Sequence, residues 1–373
     1  MAGSVLITGG AGFIGSHLAD ELLRHGYRVR VLDSLLPQVH GAGATRARYL
    51  DPEVELVKGD VRDEDTVQKA LEGTEAVFHL AAMVGVGQSM YEIEQYTSVN
   101  NCGCAVLLEA MARAAGERKL IVASSMSIYG EGRYRDAQGN LYDEVQRPVE
   151  HLKCGRWEPS NEKSERLIPV ATPEGKVPSL ASVYALSKYD QERMAIIIGN
   201  CYRIPVVALR FFNVYGTRQA LSNPYTGVLA IFASRLLNRN SPRIFEDGLQ
   251  LRDFVSVHDV VTACRLALEV DQQKAQVFNI GSGAKLSVLE VLQRFTALLN
   301  CGSIEPEITG QYRAGDIRHC FADITSARTH LGYQPRVRFD EGLAELADWL
   351  EGEIAVDRVS EAHAELALRG LTL

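Results

Sequence analysis

Apolar and polar residues follow two different spacings along residues 5–123, and together they predict strands that alternate with helices. Short unbroken apolar runs are typical of strands buried in a sheet, whereas apolar residues three and four positions apart are typical of helices with one buried face. The predicted strands are 5–7, 28–32, 54–57, 76–80 and 120–123, and the predicted helices are 13–25, 64–71 and 93–115. This alternation indicates right-handed βαβ units and a parallel sheet.

The pattern stops between residues 131 and 178, where the chain is polar and rich in glycine, proline and charge. This stretch is too long for an ordinary loop, so we expect an insertion with a functional or covering role. Regular spacing returns after it, with predicted helices at 183–202, 228–237, 260–268, 288–299 and 343–350 and predicted strands at 206–209, 254–257 and 276–280. A polar tail with alanine and leucine closes the chain and carries no functional signal.

Three glycines follow the first predicted strand at the spacing of a phosphate-binding turn. Gly9, Gly12 and Gly15 form a G-x-x-G-x-x-G pattern between a strand and a helix. The first allows a tight turn, the second lets a pyrophosphate approach the backbone, and the third lets the helix pack closely on the sheet. The start of the helix then offers free N–H groups and the positive end of its dipole to the phosphates.

An acidic residue, Asp33, ends the second predicted strand, 18 residues after Gly15. A carboxylate there accepts hydrogen bonds from a ribose 2′-hydroxyl and repels a 2′-phosphate, which favours NAD over NADP. Asp60 and Val61 follow the third strand and are placed to reach an adenine, although an aspartate in a turn has an equally plain structural explanation. A tight glycine turn followed by an ordinary turn aspartate is the alternative interpretation of the whole pattern.

A tyrosine and a lysine share one face of the predicted helix at 183–202. Tyr184 and Lys188 are four positions apart, which places their side chains about 6 Å apart. An ammonium close to a phenol lowers the pKa of the phenol from about 10, so we expect Tyr184 to act as a base near neutral pH. Ser124 and Ser125 end a predicted strand, and the carboxyl ends of parallel strands face the ligand crevice.

Composition and charge exclude several classes of protein. The 373 residues contain 39 Lys and Arg against 47 Asp and Glu, a net charge of −8, whereas nucleic-acid binders need clustered basic residues. No apolar run approaches the roughly 18 residues of a membrane span, and no basic segment precedes the first apolar strand. We therefore expect no membrane anchor, no signal peptide and a cytoplasmic location. Seven scattered cysteines include no C-x2-C pair, so we expect free thiols and no metal.

Taken together, these motifs resemble the extended short-chain dehydrogenase/reductase superfamily, specifically its nucleotide-sugar epimerases and dehydratases. The resemblance covers nearly the whole chain. The further matching segments are 79–82, 100–103, 210–216, 251–254, 279–281 and 313–316.

This resemblance implies an α/β fold, a Rossmann-type doubly wound parallel sheet with a smaller, mostly C-terminal α/β substrate domain. We expect an NAD-binding domain at 1–203 that carries the catalytic residues and the insertion 131–178. Residues 204–373 are expected to form mostly the nucleotide-sugar-binding domain, with the strands near 206–209 and 254–257 returning to the NAD domain.

The resemblance also implies roles for the matching residues. Ser125 would hydrogen-bond the sugar O4, Tyr184 would exchange its proton, and Lys188 would orient the nicotinamide ribose and tune Tyr184. The set implied to hold tightly bound NAD is Gly9, Gly12, Phe13, Ile14, Gly15, Asp33, Asp60, Val61, Leu80, Ala81, Ala82, Asn100, Ser124, Tyr184 and Lys188. The set implied to contact a nucleotide-diphosphate sugar is Val84, Ser125, Ser127, Asn213, Arg252, Arg313 and Asp316.

In that set, Asn213, Arg252 and Arg313 match positions that hold the diphosphate, and Asp316 lies near the ribose. A diphosphate needs fixed cationic donors, and arginine supplies them in pairs. Without the family, either arginine is interpreted more simply as a surface salt-bridge partner.

Members of the family are thought to begin by removing a hydride from C4, which gives a transient 4-keto sugar and NADH. The 4,6-dehydratases place Asp-Glu directly after the catalytic hydroxyl, but Met126 and Ser127 stand there and cannot act as acid and base. The glutamate of related decarboxylases and the Cys–His pair of 3,5-epimerases are also missing, and Glu131 lies beyond the strand end. Return of the hydride to the other face is the remaining outcome, so we expect an isomerase, an NAD-dependent nucleotide-sugar 4-epimerase.

Segments 84–91, 124–132 and 178–184 look like bacterial dTDP-L-rhamnose 4-epimerases, which make dTDP-6-deoxy-L-talose. Many of those relatives carry cysteine pairs in the insertion, whereas this chain has only Cys154 there. The small apolar residues Val84 and Gly85 would suit the methyl group of a 6-deoxy sugar, and packing beneath a loop explains them equally well.

Two enzymatic alternatives stay open, a UDP-sugar 4-epimerase of the UDP-glucose/galactose type and a nucleotide-sugar 4-ketoreductase or dehydrogenase. A non-catalytic NAD-binding protein is disfavoured by the intact Ser125, Tyr184 and Lys188. In this superfamily the helices at 93–115 and 183–202 usually form a four-helix dimer interface, so we expect a homodimer by analogy.

Overall fold

The computed structural model describes residues 3–114, 118–271, 274–313 and 315–372. The predicted helix end at Ala115 and Ala314 of the 313–316 motif lie outside the described residues. The strands are β1 (Ser4–Thr8), β2 (Arg28–Asp33), β3 (Glu55–Lys58), β4 (Ala76–His79), β5 (Lys119–Ser125), β6 (Arg133–Arg135), β7 (Leu141–Tyr142), β8 (Ile168–Val170), β9 (Val206–Phe211), β10 (Asn213–Tyr215), β11 (Arg243–Ile244), β12 (Leu251–Arg252), β13 (Phe254–Ser256), β14 (Gln276–Ile280), β15 (Leu286–Ser287), β16 (Glu307–Ile308) and β17 (His319–Cys320).

The helices pack on both faces of the largest sheet and around the smaller ones. They are α1 (Phe13–Arg24), α2 (Pro37–His40), α3 (Glu64–Leu71), α4 (Val86–Ser89), α5 (Ile93–Tyr96), α6 (Gly103–Arg113), α7 (Val149–Lys153), α8 (Val183–Tyr202), α9 (Val228–Leu237), α10 (Val257–Glu269), α11 (Val288–Leu298), α12 (Thr325–Leu331), α13 (Phe339–Leu350) and α14 (Val359–Leu368). None of these described helices is long and apolar enough to cross a membrane.

Seven parallel strands form one sheet in the order β14-β9-β5-β4-β1-β2-β3. Side chains alternate across it, so that Val5 and Ile7 pack into the core on one face while Leu6 packs into the core on the other. The strand order reverses between β1 and β4, which opens a crevice at their carboxyl ends. This architecture confirms the predicted Rossmann-type α/β fold.

A second core holds together the smaller part of the chain. It joins α9, α11 and α13 through buried residues such as Phe232, Phe295 and Leu346. The strand predicted near 206–209 is β9 and lies in the seven-stranded sheet. The strand predicted at 254–257 is β13, which pairs with β10 in a separate two-stranded sheet.

The stretch without a clear period, 131–178, folds into a small antiparallel sheet of order β7-β6-β8 with the short helix α7. Its strands are two or three residues long, which is too short for an alternating pattern to be visible in the sequence. The buried side chains of Tyr134 and Leu167 anchor this insertion to the rest of the molecule.

The single helix predicted at 93–115 is instead divided into α5 and α6 by a π-helical segment, Thr97–Cys102. The backbone carbonyl of Asn100, inside that segment, accepts a hydrogen bond from Gln191 Nε2 at 3.0 Å. A carbonyl that accepts a hydrogen bond from a neighbouring helix competes with the hydrogen bond inside its own helix. This competition is consistent with the local change to a π-helix at this point.

Candidate active site

A cavity of about 680 Å³ lies at the carboxyl ends of the central strands, between the large sheet and the smaller part of the chain. It is lined from one side by the glycine turn and the ends of β2, β4 and β5, and from the other by β10, β12, α9 and α14. Every residue that the sequence analysis placed in the site lines this cavity except Asn100.

The glycine turn has the tight geometry that the spacing predicts. Gly9 has a φ of +70°, and a Cβ on it would lie 2.7 Å from the Ala81 nitrogen. A Cβ on Gly15 would lie 2.5 Å from the carbonyl oxygen of Gly9, so only glycine lets α1 pack against the turn. Gly12 begins α1 without a capping side chain, and its N-terminal N–H groups are therefore available to an anion such as a pyrophosphate.

Asp33 sits at the end of β2 with its carboxylate fixed by the backbone. Oδ2 accepts a hydrogen bond from the Ala11 N–H at 3.0 Å and Oδ1 accepts one from the Leu35 N–H at 2.8 Å. His40, which the sequence analysis did not single out, places Nε2 3.8 Å from Oδ1. Burial lowers the pKa of His40 and the charge of Asp33 opposes that change, so a polar cluster surrounds the position expected for a ribose.

The second acidic residue of the predicted cofactor set, Asp60, is paired with Arg62. Arg62 Nη2 lies 2.7 Å from Asp60 Oδ2, and these hydrogen bonds hold the pKa of Asp60 below its usual value. Both residues and Val61 line the cavity, so the structure places Asp60 at the site but ties much of its hydrogen-bonding capacity to its neighbour.

Ser125 and Tyr184 both line the cavity, where the Ser125 side chain acts to lower the pKa of Tyr184. Ser127 donates its hydroxyl proton to Ser125 Oγ at 2.9 Å, which leaves the Ser125 proton free to be directed elsewhere. Ser182 caps α8 by accepting a hydrogen bond from the Ala185 N–H at 3.1 Å, and this cap fixes the first turn, on which Tyr184 stands.

Burial and Ser125, and not Lys188, shift the pKa of Tyr184 in the described structure, so the expected effect of Lys188 on Tyr184 remains a prediction. Lys188 donates from Nζ to the Ala123 carbonyl at 2.9 Å and to Gln191 Oε1 at 3.0 Å. Burial raises the pKa of Tyr184, and the hydrogen bond from Ser125 opposes it only in part. Burial also lowers the pKa of Lys188 to about 8, because a buried ammonium without a carboxylate partner is costly.

Two residues of the predicted cofactor set act partly or wholly behind the cavity wall. Asn100 is buried and holds the backbone of Met83, accepting from its N–H at 2.7 Å and donating to its carbonyl at 3.1 Å. Ser124 lines the cavity, but its hydroxyl donates to Glu192 Oε2 at 2.7 Å. Asn100 therefore supports the wall of the site instead of facing the cavity.

The substrate side of the cavity carries one arginine that is neutralised and one that is not. Arg313 forms a two-point contact with Asp316, at 2.8 and 3.1 Å. Arg252 donates to the backbone carbonyls of Leu251, Ile317 and Arg318, and no ion pair between Arg252 and a carboxylate is seen among the described residues. Burial lowers the pKa of Arg252, and its excess positive charge faces a cavity that would suit a phosphate.

Carboxylates are absent from the part of the described cavity wall around Ser125. The aspartates that line the cavity are Asp33, Asp60 and Asp316. Glu131 is turned away and receives the Arg318 N–H at 2.7 Å and the Tyr134 hydroxyl at 2.6 Å. The described residues also contain no group of three or more His, Cys, Asp or Glu side chains that could hold a metal ion.

The sequence matches the model of the NAD dependent epimerase/dehydratase family over residues 5–151 and 162–281. These ranges cover most of the chain and include the glycine turn, Ser125 and the Tyr184–Lys188 pair. The chain belongs to this family.

This chain is similar to several nucleotide-sugar 4-epimerases over nearly their whole length. The epimerase/dehydratase chain is 33% identical over 353 residues to dTDP-L-rhamnose 4-epimerase of Burkholderia thailandensis, covering 94% of this chain and 95% of that one. It is similar to the crystal structure of UDP-glucose 4-epimerase from Thermotoga maritima with UDP-glucose (TM-score 0.75, 30% identity, 93% and 98% of the two chains). It is also similar to UDP-glucuronic acid 4-epimerase from Bacillus cereus with UDP-glucuronic acid and NAD (TM-score 0.75, 26% identity, 93% and 99%).

The C-terminal helix α14 forms part of the cavity wall, although no sequence motif marked it. Residues from one face of α14 line the cavity, namely Val359, Ala362, His363 and Leu366. They are spaced by three, four and seven positions, so the helical period was a usable signal. Tyr225, Arg243 and Phe245 also line the cavity and lie in a region where no motif marked them.

Proposed function

We propose that this chain is a nucleotide-sugar 4-epimerase that uses NAD and acts on a dTDP-linked 6-deoxyhexose, interconverting dTDP-L-rhamnose and dTDP-6-deoxy-L-talose. The relatives reported above are nucleotide-sugar 4-epimerases, which are isomerases. The observation that carries the proposal is that Ser125 and Tyr184 line one cavity together with the glycine turn, with no carboxylate beside Ser125 among the described residues.

The residues of the glycine turn fit a dinucleotide. The crowding around Gly9 and Gly15 and the uncapped start of α1 form a cradle that a side chain would fill. Asp33 stands where its carboxylate could accept a hydrogen bond from a ribose hydroxyl. NAD, when bound there, supplies the acceptor and the donor for the hydride at C4 of the sugar. Lys188, Leu80 and Ala82 line the same cavity as this cradle and Tyr184.

Tyr184 is the group that takes the proton of the sugar O4 hydroxyl and later returns it. Burial disfavours the phenolate form of Tyr184. A positive charge near the nicotinamide and the hydrogen bond from Ser125 would both stabilise the phenolate, and so would favour transfer of the O4 proton to Tyr184. Ser125 would donate to O4 and hold it against Tyr184, because Ser127 already occupies a lone pair of Ser125. Both hydroxyls act without a change in the net oxidation state of the sugar.

The absence of a carboxylate beside Ser125 in the described cavity wall supports epimerisation over elimination of water. Met126 and Ser127 line the cavity next to Ser125, and Glu131 is held by Arg318 and Tyr134 away from it. Elimination across C5 and C6 needs a base at C5 and an acid at C6. A ketone that stays in the site can only be reduced again, and return of the hydride to the opposite face inverts C4.

The nucleotide-sugar class is supported by the charges on the substrate side of the cavity. Arg252 donates to backbone carbonyls and forms no direct ion pair with a carboxylate among the described residues, and Arg313 also lines the cavity. Asn213, Tyr225 and Phe245 line the same side. Val84 is exposed to the cavity and Gly85 has a φ of +126° with no room for a Cβ against Tyr225, so this wall suits a methyl group better than a hydroxymethyl group.

A UDP-sugar 4-epimerase is the second candidate, because the solved neighbours bind UDP-glucose or UDP-glucuronic acid. A 4-ketoreductase or dehydrogenase with exchangeable cofactor is the third. Absorbance of the purified protein at 260 and 340 nm separates either epimerase from the reductase, since an epimerase must retain its nicotinamide cofactor to avoid releasing a stranded ketone. Protein that carries no nicotinamide would favour the reductase.

We also propose that the protein is a homodimer. On α8, Leu186 and Ile197 are 45% and 53% exposed and lie eleven positions apart, which is three helical turns, so they share one face. Ile93, at the start of α5, is 53% exposed as well. Sedimentation velocity at micromolar concentration is expected to show a species of twice 41.0 kDa, and a 41.0 kDa species alone would contradict the proposal.

Tyr184→Phe tests the mechanism directly. It removes the hydroxyl that exchanges the proton, so kcat is expected to fall about a thousandfold while bound NAD stays at the wild-type level. Tyr189→Phe, on the next turn of α8 and outside the described cavity wall, is the matched control and should keep activity. Unchanged turnover in Tyr184→Phe would show that another group moves the proton.

A further inference from the structure

The insertion 131–178 contacts the segment that carries the substrate-facing arginine. We call Arg313 and residues 315–318 the arginine loop, because it bears Arg313 and Asp316 and is followed by β17. Residues 315–318 contain no helix or strand, so the shape of this part of the loop depends on the side chains that hold it. The present inference rests on the proposed function, which assigns this side of the cavity to a nucleotide diphosphate.

The arginine loop fixes Arg252 as well as Arg313. The Arg252 guanidinium donates to the carbonyls of Ile317 and Arg318, the latter at 2.9 Å. These carbonyls are the last two of the loop, so a displacement of the loop would release or redirect Arg252. Arg313 is held within the loop itself by Asp316. Both candidate diphosphate-binding arginines therefore take their position from one short segment.

Three side chains of the insertion hold that segment, two through its backbone and one through the Arg318 side chain. Arg147 donates from Nη2 to the Asp316 carbonyl at 2.8 Å. Glu131 accepts the Arg318 N–H at 2.7 Å. Glu158 accepts two hydrogen bonds from the Arg318 guanidinium, at 2.6 and 3.0 Å. Each of these contacts joins residues more than 150 positions apart in the sequence, so the insertion adds long-range contacts to the local pair of Arg313 and Asp316.

Arg147 is the centre of this arrangement. Besides the Asp316 carbonyl, it contacts Glu131 Oε1 from Nε at 2.9 Å and Glu246 Oε1 from Nη1 at 2.6 Å. Its side chain is 7% exposed and does not line the cavity. A planar guanidinium that binds three fixed oxygens at once is held in one orientation, and it fixes those oxygens in turn. No other cation of the insertion reaches both Glu131 and the arginine loop in the described structure.

We propose that Arg147 is a positioning residue for nucleotide-diphosphate recognition, and that the insertion serves to hold the arginine loop so that Arg252 and Arg313 face the diphosphate. Arg147 acts through the Asp316 carbonyl and Glu131 and touches no ligand itself. The insertion thereby couples a surface subdomain to the charge that selects the substrate, while the cradle for the dinucleotide lies on the other side of the cavity.

Arg147→Met tests this assignment because methionine keeps much of the apolar length of the side chain and removes all three polar contacts. Arg133→Met is the matched control. Arg133 belongs to the same insertion and forms a two-point contact with Asp143, at 2.6 and 2.7 Å, without touching the arginine loop. The dissociation constants of dTDP and dTMP are measured for each protein by titration calorimetry, together with the bound NAD and the midpoint of thermal unfolding.

Arg147→Met is expected to weaken dTDP binding about tenfold or more, to weaken dTMP binding much less, and to leave bound NAD unchanged. The dissociation constant of dTMP divided by that of dTDP therefore falls, whereas general damage to the pocket would weaken the binding of both nucleotides alike. Arg133→Met should match the wild type. If Arg147→Met does not fold, Arg147→Lys, which keeps the charge but loses the fork of donors, is expected to show the same loss of ratio in weaker form.

An unchanged ratio in a folded Arg147 variant that still binds dTDP would overturn the positioning role and leave the proposed function standing. Loss of NAD in parallel with loss of dTDP would also overturn it, because the effect would then reach the whole cavity. A wild-type protein that binds neither dTDP nor UDP would overturn the proposed function, and this inference with it.

Discussion

Lys188 makes a stability prediction that can be tested without any substrate. It is 4% exposed, its Nζ is bound only by the Ala123 carbonyl and Gln191 Oε1 among the contacts seen, and burial lowers its pKa from 10.5 to about 8. In the unfolded chain Lys188 keeps its proton up to a pKa of 10.5, whereas the folded chain releases it near 8. The unfolded state therefore binds more protons over that range, and the free energy of unfolding rises with pH.

The size of the effect follows from the two pKa values. Linkage between 8 and 10.5 gives the wild type a gain of about 2 kcal/mol from Lys188 between pH 7 and about pH 9.5. Lys188→Met lacks this contribution. Its unsatisfied Ala123 and Gln191 groups lower stability equally at every pH, so the difference between the two proteins in pH dependence isolates the lysine.

The assay is guanidinium denaturation followed by circular dichroism at several pH values, with both proteins freed of nucleotide. The free energy of unfolding of the wild type should approach or overtake that of Lys188→Met as the pH rises, by about 2 kcal/mol over the range. Lys119→Met is a comparison outside the site, where Lys119 donates to the Leu268 carbonyl. Burial lowers the pKa of Lys119 to about 8 as well, so this variant is expected to lose a pH-dependent contribution of the same sign. Parallel pH curves for wild type and Lys188→Met would refute the reasoning.

Two further substitutions test the cofactor cradle. Gly15→Ala would place a Cβ 2.5 Å from the Gly9 oxygen, so it is expected to cost about 1–3 kcal/mol of stability and to lower the amount of bound NAD. Gly302→Ala, whose Cβ meets nothing within 4 Å, is the control and should change neither stability nor bound NAD. Thermal unfolding measures the stability, and absorbance measures the bound NAD. Asp33→Asn replaces one acceptor of the Ala11 and Leu35 N–H groups by an NH2 group and removes the negative charge that repels a 2′-phosphate. The ratio of NAD affinity to NADP affinity is therefore expected to fall towards one. A preserved ratio would contradict the role of the carboxylate.

The parts of the fold that follow local rules could be predicted from the sequence. The glycine turn, the start of α8 at Ser182 and the order of strand and helix along residues 5–123 all depend on neighbours in the chain. The division of the helix at 93–115 could not be predicted, because it depends on Gln191, a residue more than ninety positions away that binds the Asn100 carbonyl.

The site was predicted as a set of residues better than as a set of contacts. Motif spacing brought Ser125, Tyr184 and Lys188 to one cavity, but it could not show that Lys188 turns to Gln191 and leaves the pKa of Tyr184 raised. The charged contacts of the insertion were invisible for a related reason. Arg147 and Glu158 acquire partners only through tertiary folding, and a charged residue in a polar stretch is otherwise interpreted as solvated.

Net charge can now be placed in the structure. The chain carries −8 overall, yet Arg252 stands in the cavity without a carboxylate partner among the described residues, and the start of α1 is uncapped. Positive potential is therefore concentrated at two points that suit phosphates. An acidic protein can bind an anionic nucleotide in this way, because the local field and not the total charge decides the contact.

Inversion at C4 is the most direct test of the account. The purified protein is incubated with dTDP-L-rhamnose in D2O in the presence of NAD, with UDP-glucose in a parallel sample, and the sugar is followed by proton NMR. The account predicts that dTDP-L-rhamnose is converted to the 4-epimer at equilibrium, with hydrogen retained at C4 because the hydride returns to the carbon it left. Inversion at C2 or C5, deuterium at C4, or no change in either sugar would contradict it.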